Sequence, residues 1–371
     1  MTRPTVATGP LDADVIVLGA GLAGAAIALE IAARKRRVAL VGMPEDALAP
    51  GLGHVLVGPG MPYLTAMERF GRDRARQVWE CQRENGDRLR QFVDGVRDGC
   101  DYRRNGGFLL AADRAEGLRL AESEDLLRED GFPGEFLDHH MLEARFDVTG
   151  FAGAYWAADD AELDVARLLV ALVAAAAAEG AIVRPAGPAV TLVVDDGFAR
   201  AESAAGRVRA PWAVLTADGG LGPVGGPLAE RVRSVALHGL TLRTVRGAVS
   251  PSPALTADGA HAWQVRGERL ILAGRGRASS EIPDFRDLDA MARRLACVPG
   301  SGVPWEAAVG ATADGLPMIG PVPERPLAVA VGLGTRTASY AFMAARWIAE
   351  AVTSGRDPTP PPFRADRRPL V

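Results

Sequence analysis

The sequence predicts an α/β fold with a parallel sheet and a second, mixed sheet. Near the N-terminus, Val15–Leu18 is a short apolar run rich in β-branched residues, and a glycine-rich turn and a helical segment follow it. This composition is typical of a buried parallel strand, because both faces of such a sheet are covered. Later segments alternate between long charged helices and hairpins. With 371 residues, the chain is long enough for two domains.

The charged composition excludes several classes of function. The formal net charge is −4 and the isoelectric point is about 5.8, whereas a nucleic-acid surface needs a basic field. Lys35 is the only lysine and lies in a basic run, so the sequence offers neither a Gly-Lys-Ser/Thr phosphate loop nor a good Schiff-base lysine.

Cysteine and histidine usage indicates a reduced, cytoplasmic protein without a metal site. Cys81, Cys100 and Cys297 are scattered, and the five histidines lack metal-ligand spacing. The apolar run from residue 15 to residue 29 follows acidic residues and not a basic segment, so we do not interpret it as a signal peptide. We expect no membrane partner.

The first glycine turn, at residues 19–24, predicts dinucleotide binding. It joins the strand at 15–18 to a helix at 25–33, and a second buried strand at 37–41 follows. The first glycine permits a tight turn, the second lets a pyrophosphate approach the backbone, and the third lets helix and strand pack closely. The cofactor-binding residues predicted here are Gly19, Gly21, Leu22, Ala23 and Gly24.

The position after the second strand departs from this pattern. A carboxylate there usually binds a ribose hydroxyl, and Gly42 occupies it. Glu45 and Asp46 follow closely and are candidates to replace that carboxylate. No arginine stands there to indicate a 2′-phosphate.

The remaining pattern predicts four more helices, a three-stranded meander and further strands. The helices are expected at 66–95, 114–129, 165–179 and 339–353. The meander strands are 190–194, 198–201 and 207–209, and the other strands are 106–111, 181–183, 212–217, a hairpin over 263–273, and 327–331. A second glycine turn, containing Gly332, Gly334 and Thr335, precedes the last helix and is another natural anion or ring site.

Taken in chain order, four features of the sequence resemble those of the FAD-dependent D-amino-acid oxidase/glycine oxidase superfamily. They are Val-Ile-Val-Leu-Gly-Ala-Gly-Leu-Ala-Gly at 15–24, the meander, Asp-Gly-Leu-Pro-Met-Ile-Gly-Pro at 314–321 and Gly-Leu-Gly-Thr-Arg at 332–336. The last turn is similar to that of the oxidase domain of the tRNA 5-methylaminomethyl-2-thiouridine-forming enzyme. The resemblance runs from residue 14 to residue 367.

The resemblance implies an α/β flavoprotein of the glutathione-reductase type, with a Rossmann-like FAD-binding domain and an inserted mixed-sheet substrate domain. The expected FAD domain is 11–60, 147–226 and 305–356, the substrate domain is 61–146 and 227–304, and 357–371 is a C-terminal tail. The implied reaction moves hydride from the Cα–H beside an amine to FAD. Water then hydrolyses the imine, and O2 reoxidises the cofactor to give H2O2.

Four departures from the family pattern cluster at the implied site. Gly42 is the first. In the loop at 50–60 that lies beside the flavin in the family, the serine, asparagine and central glycine are Pro50, Gly53 and Val55. Asp218 replaces a glycine. The family's carboxylate-binding arginine is Val309. The loop still predicts Gly53, His54 and Val55 beside the cofactor.

Substrate recognition therefore falls on other residues. Arg275, Arg277 and Arg336 are candidates to bind a substrate carboxylate, because an arginine fork binds a carboxylate in bidentate fashion. Each is equally an ordinary surface arginine. Trp263 matches a substrate-lining aromatic of the family, or it is a core residue. His54 either approaches the flavin edge or is a plain loop histidine.

Two functional hypotheses stay open. In the first, the protein oxidises a small amine or amino acid, including N-substituted glycines, with O2 as acceptor. In the second, it is a degenerate oxidase-fold subunit that acts as a binding or scaffold partner with weak or no FAD. A nicotinamide-linked reductase is disfavoured, because inserted segments split the nucleotide fold. The sequence leaves a homo-oligomer open.

Overall fold

The structure is a computed structural model. It describes residues 9–42, 51–184, 190–195, 197–216, 228–244, 250–278, 285–295, 297–298 and 300–368. Pro50 and Asp218, as well as Glu45 and Asp46, lie outside the described residues.

The described residues contain eight α-helices. Within these ranges, no helix is long and apolar enough to cross a membrane. In chain order they are α1 (Leu22–Ala33), α2 (Tyr63–Phe70), α3 (Arg72–Asp94), α4 (Arg114–Glu129), α5 (His139–Phe146), α6 (Val165–Ala178), α7 (Arg286–Arg294) and α8 (Ala341–Ser354).

The described strands form two main sheets and two smaller ones. In chain order they are β1 (Leu11–Asp12), β2 (Val15–Leu18), β3 (Val38–Val41), β4 (His54–Val55), β5 (Gly107–Ala111), β6 (Glu135–Asp138), β7 (Gly153–Ala157), β8 (Ala161–Glu162), β9 (Ile182–Arg184), β10 (Thr191–Asp195), β11 (Phe198–Ser203), β12 (Gly206–Ala210), β13 (Trp212–Leu215), β14 (Val232–Arg243), β15 (Ala254–Thr256), β16 (His261–Arg266), β17 (Arg269–Gly274), β18 (Arg277–Ala278), β19 (Val303–Thr312), β20 (Met318–Pro321) and β21 (Leu327–Val331).

The first sheet has the order β20-β21-β13-β2-β3-β9, and its strands are parallel except for β20. Helices α1, α6 and α8 cover one face and share a single apolar core with it. The sheet β1-β12-β11-β10 covers the other face. Its last three strands are the predicted meander. This three-layer arrangement explains the uninterrupted apolar runs in β2 and β21, which are buried on both faces.

The second sheet is mixed and has the order β18-β14-β17-β16-β15-β5-β7-β6, with β19 paired to β14. Helices α5 and α7 pack on the face that we call the far face, through residues such as Leu142 and Leu288. The other face, which we call the near face, meets the loop at 51–60 and the cleft described below. Helices α2, α3 and α4 close the side between the two sheets.

Several predicted elements are confirmed and one is wrong. The strand at 15–18 and the helix at 114–129 match β2 and α4 residue for residue. The single helix expected over 66–95 is two helices, because Gly71 between them has φ +82. Only glycine adopts that left-handed conformation readily, and the chain turns there.

The segment predicted as a C-terminal tail packs against the body of the protein. Phe363 is fully buried against Trp347. Arg367 is 6% exposed and donates through Nη2 to both carboxylate oxygens of Asp314, at 2.8 and 2.9 Å, and to the carbonyl of Leu316 at 2.9 Å. The tail therefore fixes the turn at 314–316.

We predict that Arg367→Met lowers the free energy of unfolding by about 3 kcal/mol, because it leaves a buried carboxylate without its arginine. The matched control is Arg364→Met, whose pair with Asp366 is partly exposed and should contribute about 0–1 kcal/mol. Urea titration of both variants measures the difference. Equal losses in the two variants would contradict the assignment.

Candidate functional site

The first glycine turn packs the backbone of β2 against α1. Gly19 has φ +107, and a Cβ at Gly24 would lie 1.8 Å from the Gly19 carbonyl oxygen. Gly42, with φ +110, lies behind the turn, where a Cβ would be 3.3 Å from the Gly19 nitrogen. Within the described ranges, α1 has no side-chain cap and no acidic residue in its first turn. Its first N–H groups are therefore available to an anion.

A cleft of about 240 Å³ opens in front of this turn. The described residues that line it carry no charge, and its polar side chains are threonines and Trp305. Residues from the first glycine turn, the second glycine turn, β14 and β19 meet there. Of the predicted cofactor residues, those that line the cleft are Gly21, Leu22, Ala23, Gly24, Gly334 and Thr335. Such a cleft suits a flat apolar ring joined to a phosphate group.

Val309 lies on β19 and contributes an apolar wall to this cleft. The position at which the resemblance predicts the carboxylate-binding arginine therefore lies in the cleft wall. Gly332, predicted beside the cofactor, is not among the residues that line the cleft. Its φ is +72, and a Cβ there would lie 2.7 Å from the Thr312 Cγ2.

The loop at 53–58 is held by side chains from four separate parts of the fold. The N–H groups of the loop donate to Oε1 of Gln264 on β16 (2.8 Å), Oγ of Ser339 (2.9 Å), Oδ1 of Asp160 (2.7 Å) and Oε1 of Gln82 on α3 (3.0 Å). All four side chains are buried. None of the four could be recognised from the sequence, because each becomes a partner of the loop only in the folded chain.

Gly53 is required by its surroundings. A Cβ there would lie 1.9 Å from the Leu163 carbonyl oxygen, which itself accepts a hydrogen bond from Nε2 of Gln264 at 3.1 Å. An asparagine, the family residue, does not fit this packing. Val55 pairs with Ala161 and contacts Gly86 on α3, and it does not line the cleft.

His54 is a buried anchor of the same loop. Its Nε2 lies 2.9 Å from the Trp263 carbonyl oxygen, and because a carbonyl only accepts, Nε2 carries the proton. Burial lowers the pKa of His54 to about 4, and the charge of Arg336 acts in the same direction. The imidazole is thus neutral at physiological pH, and its N–H joins the loop to β16.

Trp263 points away from the cleft. Neighbouring residues on a strand face opposite sides, and Gln264 faces the loop, so the indole lies on the far face. It is 2% exposed and stacks on Phe151 with ring centroids 6.1 Å apart. The structure does not bring it together with the other candidate substrate residues.

The three candidate arginines differ in their surroundings. Arg275 is exposed and donates to the Asp258 carbonyl at 2.7 Å. Arg277 begins β18, in register with Ala236. Arg336 is half-buried between the two sheets.

The guanidinium of Arg336 lies between three segments. A Cβ at Gly60 would be 2.7 Å from its Nη1 and 3.6 Å from Cδ2 of Leu255, and its Nη2 donates to the Gly315 carbonyl over 3.4 Å. Its Nε is buried, with no hydrogen-bond partner in the described part of the chain. Arg336 is therefore a largely unsatisfied cation at the junction of the loop, the near face and the turn at 314–316.

Two buried carboxyl groups, those of Asp160 and Glu162, pack against the loop at 53–58. Burial raises the pKa of Asp160 to about 8. Burial also raises the pKa of Glu162 to about 7, against the opposing charge of Arg103, whose Nε is 3.6 Å away. Neither group faces the cleft lining, so we assign them to holding the loop.

Comparison with known proteins gives a consistent result. The family model described as "FAD dependent oxidoreductase" matches residues 14–351. The tRNA 5-methylaminomethyl-2-thiouridine biosynthesis bifunctional protein MnmC of Ralstonia nicotianae is 28% identical over 287 residues. That alignment covers 72% of this chain and 39% of the relative, so the chain spans about two fifths of the relative's length.

Solved structures share the fold. Glycine oxidase from Geobacillus kaustophilus superposes with a TM-score of 0.77 at 20% identity, covering 96% of this chain and 99% of that one. Iminodiacetate oxidase from Chelativorans sp. BNC1 superposes with a TM-score of 0.71 at 19% identity, covering 93% and 97%. At such identities, the likeness concerns the fold.

We predict that the stability of the protein falls as pH rises from about 6.5 to 8, above the range in which the lowered pKa of His54 acts in the opposite direction. The folded chain keeps protons on Asp160 and Glu162 that the unfolded chain has lost, and each such group gives a slope of up to about 1.4 kcal/mol per pH unit. Asp160→Asn keeps the oxygen that accepts from Val57 and should flatten the slope. Urea titrations across this pH range measure it. An unchanged slope in the variant would show that Asp160 is ionised in the folded state.

Proposed function

Because the chain belongs to the FAD-dependent oxidoreductase family, we propose that it oxidises a C–N bond of an amino acid or N-substituted glycine. In this reaction the substrate would lose a hydride from Cα and a proton from nitrogen, water would hydrolyse the resulting imine, and O2 would take up the two electrons to give H2O2. The observation that carries the substrate class is Arg336, a half-buried cation whose Nε has no hydrogen-bond partner in the described residues and whose chain neighbours Thr335 and Thr337 line the uncharged cleft. Glycine oxidase and iminodiacetate oxidase share the fold, and the substrates in their names belong to the same class, which supports this proposal.

The residues present fit FAD. A Cβ on Gly21 would meet nothing within 4 Å, so the space over the start of α1 is open, whereas a Cβ on Gly24 would strike the Gly19 carbonyl. The N–H groups at the start of α1 would hold the pyrophosphate. Leu237, Trp305 and Val309 would border the ring system. Bound there, FAD supplies the hydride-accepting centre of the reaction.

The chain's own part in the reaction is binding, orientation and exclusion of water. Arg336 would hold the substrate carboxylate as a charge-assisted pair, and this fixes the position of the Cα–H relative to the cleft. The apolar lining keeps bulk water away from the reacting carbon. The Nε2–H of His54 is already engaged in a hydrogen bond to the Trp263 carbonyl, so we assign this residue no proton transfer. An amine that binds without its extra proton needs no protein base.

A second candidate function rests on Val309 and Gly42. The cleft lacks both the arginine at the usual position and the ribose-binding carboxylate, which is the pattern of a binding subunit that has lost its chemistry. The visible absorbance of the purified protein discriminates the two. Stoichiometric FAD favours the oxidase, and a colourless protein that does not take up added FAD favours the binding subunit.

We predict that Gly24→Ala lowers the FAD content at least about 10-fold, because the added methyl group forces α1 away from β2. The matched control is Gly86→Ala, also a glycine within a helix, where a Cβ would meet only Val55 Cγ1 at 3.8 Å. That variant should keep its FAD and gain about 0.4–1 kcal/mol of stability. Heat release and absorbance of the flavin measure the content. Full FAD in Gly24→Ala would refute the pyrophosphate assignment.

We predict that Arg336→Met reduces kcat/KM for an amino acid by about 30-fold or more, mainly through KM, while FAD content is unchanged. Arg275→Met, a change at an exposed arginine paired with Asp258, should leave kcat/KM within about 2-fold. A simple alkylamine without a carboxylate serves as the substrate control. If Arg336→Met lowers its turnover equally, Arg336 does not bind the carboxylate.

A further inference from the structure

A small cavity lies close to the guanidinium of Arg336, on the other side of Gly60. It has a volume of about 40 Å³ and lies between the loop at 56–62, the near face of the second sheet and helices α2, α3 and α4. Gly60 lines this cavity, and a Cβ on Gly60 would lie 2.7 Å from Nη1 of Arg336. A molecule whose carboxylate is held by Arg336 would therefore have its neighbouring carbon atoms at the mouth of the cavity.

The side chains around the cavity are apolar or aromatic. Trp79 and Tyr63 pack edge to face with ring centroids 4.8 Å apart. Leu120, Tyr155 and Leu255 also line the cavity. A cavity with such walls favours hydrocarbon over water.

Three of the polar side chains in the wall, those of Ser123, Tyr63 and Asp160, already have partners. Ser123 Oγ donates to the Arg119 carbonyl at 2.7 Å and accepts from the Leu64 N–H at 3.1 Å. The Tyr63 hydroxyl donates to Asp130 at 2.6 Å, and Asp160 Oδ1 accepts from Val57. Burial keeps Asp160 largely protonated near neutral pH, so the wall carries little charge. A polar substrate group would find few free partners here.

Resting on the proposed function, we propose that this cavity is the side-chain pocket of the substrate and that it selects an amino acid with a small aliphatic substituent. One water occupies about 10–15 Å³ on this measure, so 40 Å³ admits a group of about three carbon atoms. Glycine leaves the pocket unfilled, and a long or charged side chain does not fit.

The first test uses ligands that cannot be oxidised. Acetate, propionate, butanoate, pentanoate and hexanoate present the same carboxylate with tails of increasing length. Their Kd values for the FAD-loaded protein follow from the change in the flavin spectrum. We expect binding to tighten with each carbon until the pocket is full and to weaken beyond that, with a total span of about 10-fold or more. Equal Kd values along the series overturn the pocket.

The second test alters the pocket itself. Leu120→Ala enlarges it, and the optimum should move to tails that are longer by two or three carbons. Leu137→Ala removes an equally buried leucine from β6, where it packs on the far face, and should leave the optimum in place. If Leu120→Ala does not fold, Leu120→Val should give a smaller shift in the same direction. An optimum that moves equally in both leucine variants overturns the assignment.

Turnover separates this inference from the proposed function. Glycine, alanine, 2-aminobutyrate, valine and norleucine are compared as both enantiomers, alongside N-methyl-, N-ethyl- and N-propylglycine, by anaerobic flavin reduction. A peak in kcat/KM near three side-chain carbons supports the pocket, and the two series show whether Cα or the nitrogen carries the substituent. Turnover that does not depend on the substituent overturns the pocket alone. A panel with no flavin reduction overturns the proposed oxidation and the pocket with it.

Discussion

The backbone of residues 53–58 is held by buried side chains from four separate parts of the fold. The loop that they hold links the first sheet to the second. Gln264 comes from the second sheet, Gln82 from α3, Ser339 from the turn before α8, and Asp160 from the segment after β7. A buried N–H without a partner costs about 1–3 kcal/mol, so losing any of these acceptors is expensive. The loop therefore holds the cleft, the neighbouring cavity and Arg336 in one fixed relation.

Much of the fold could be predicted from the sequence because it is local. The run at 15–18 and the glycine turn that follows it each specify their own structure. The break at Gly71 was missed, since the amphipathic pattern continues through it. The domain boundaries remain a prediction.

The site was less predictable, because it depends on which face of a strand each side chain occupies and on hydrogen-bond partners that are distant in the sequence. Trp263 and Gln264 are adjacent, and the sequence alone does not show which of them faces the loop. From the sequence alone, Arg275 and Arg336 are equally plausible carboxylate-binding residues. The fold leaves Arg275 exposed and Arg336 half-buried. The departures at Gly53 and Val309 each have a physical setting. Glycine at 53 is required by the nearby Leu163 carbonyl, and Val309 lies in an apolar cleft.

The turn at 314–316 connects the site to the end of the described chain. Its Gly315 carbonyl accepts from Arg336, and its Leu316 carbonyl accepts from Arg367. Loss of the residues after 362 would remove the side chain that holds this turn while leaving both glycine turns untouched. A protein shortened in this way would keep the residues proposed to bind FAD yet lose support for the turn that contacts Arg336, so flavin colour alone would be a poor measure of the intact fraction in a preparation. Mass analysis of the C-terminal peptide would report that fraction directly.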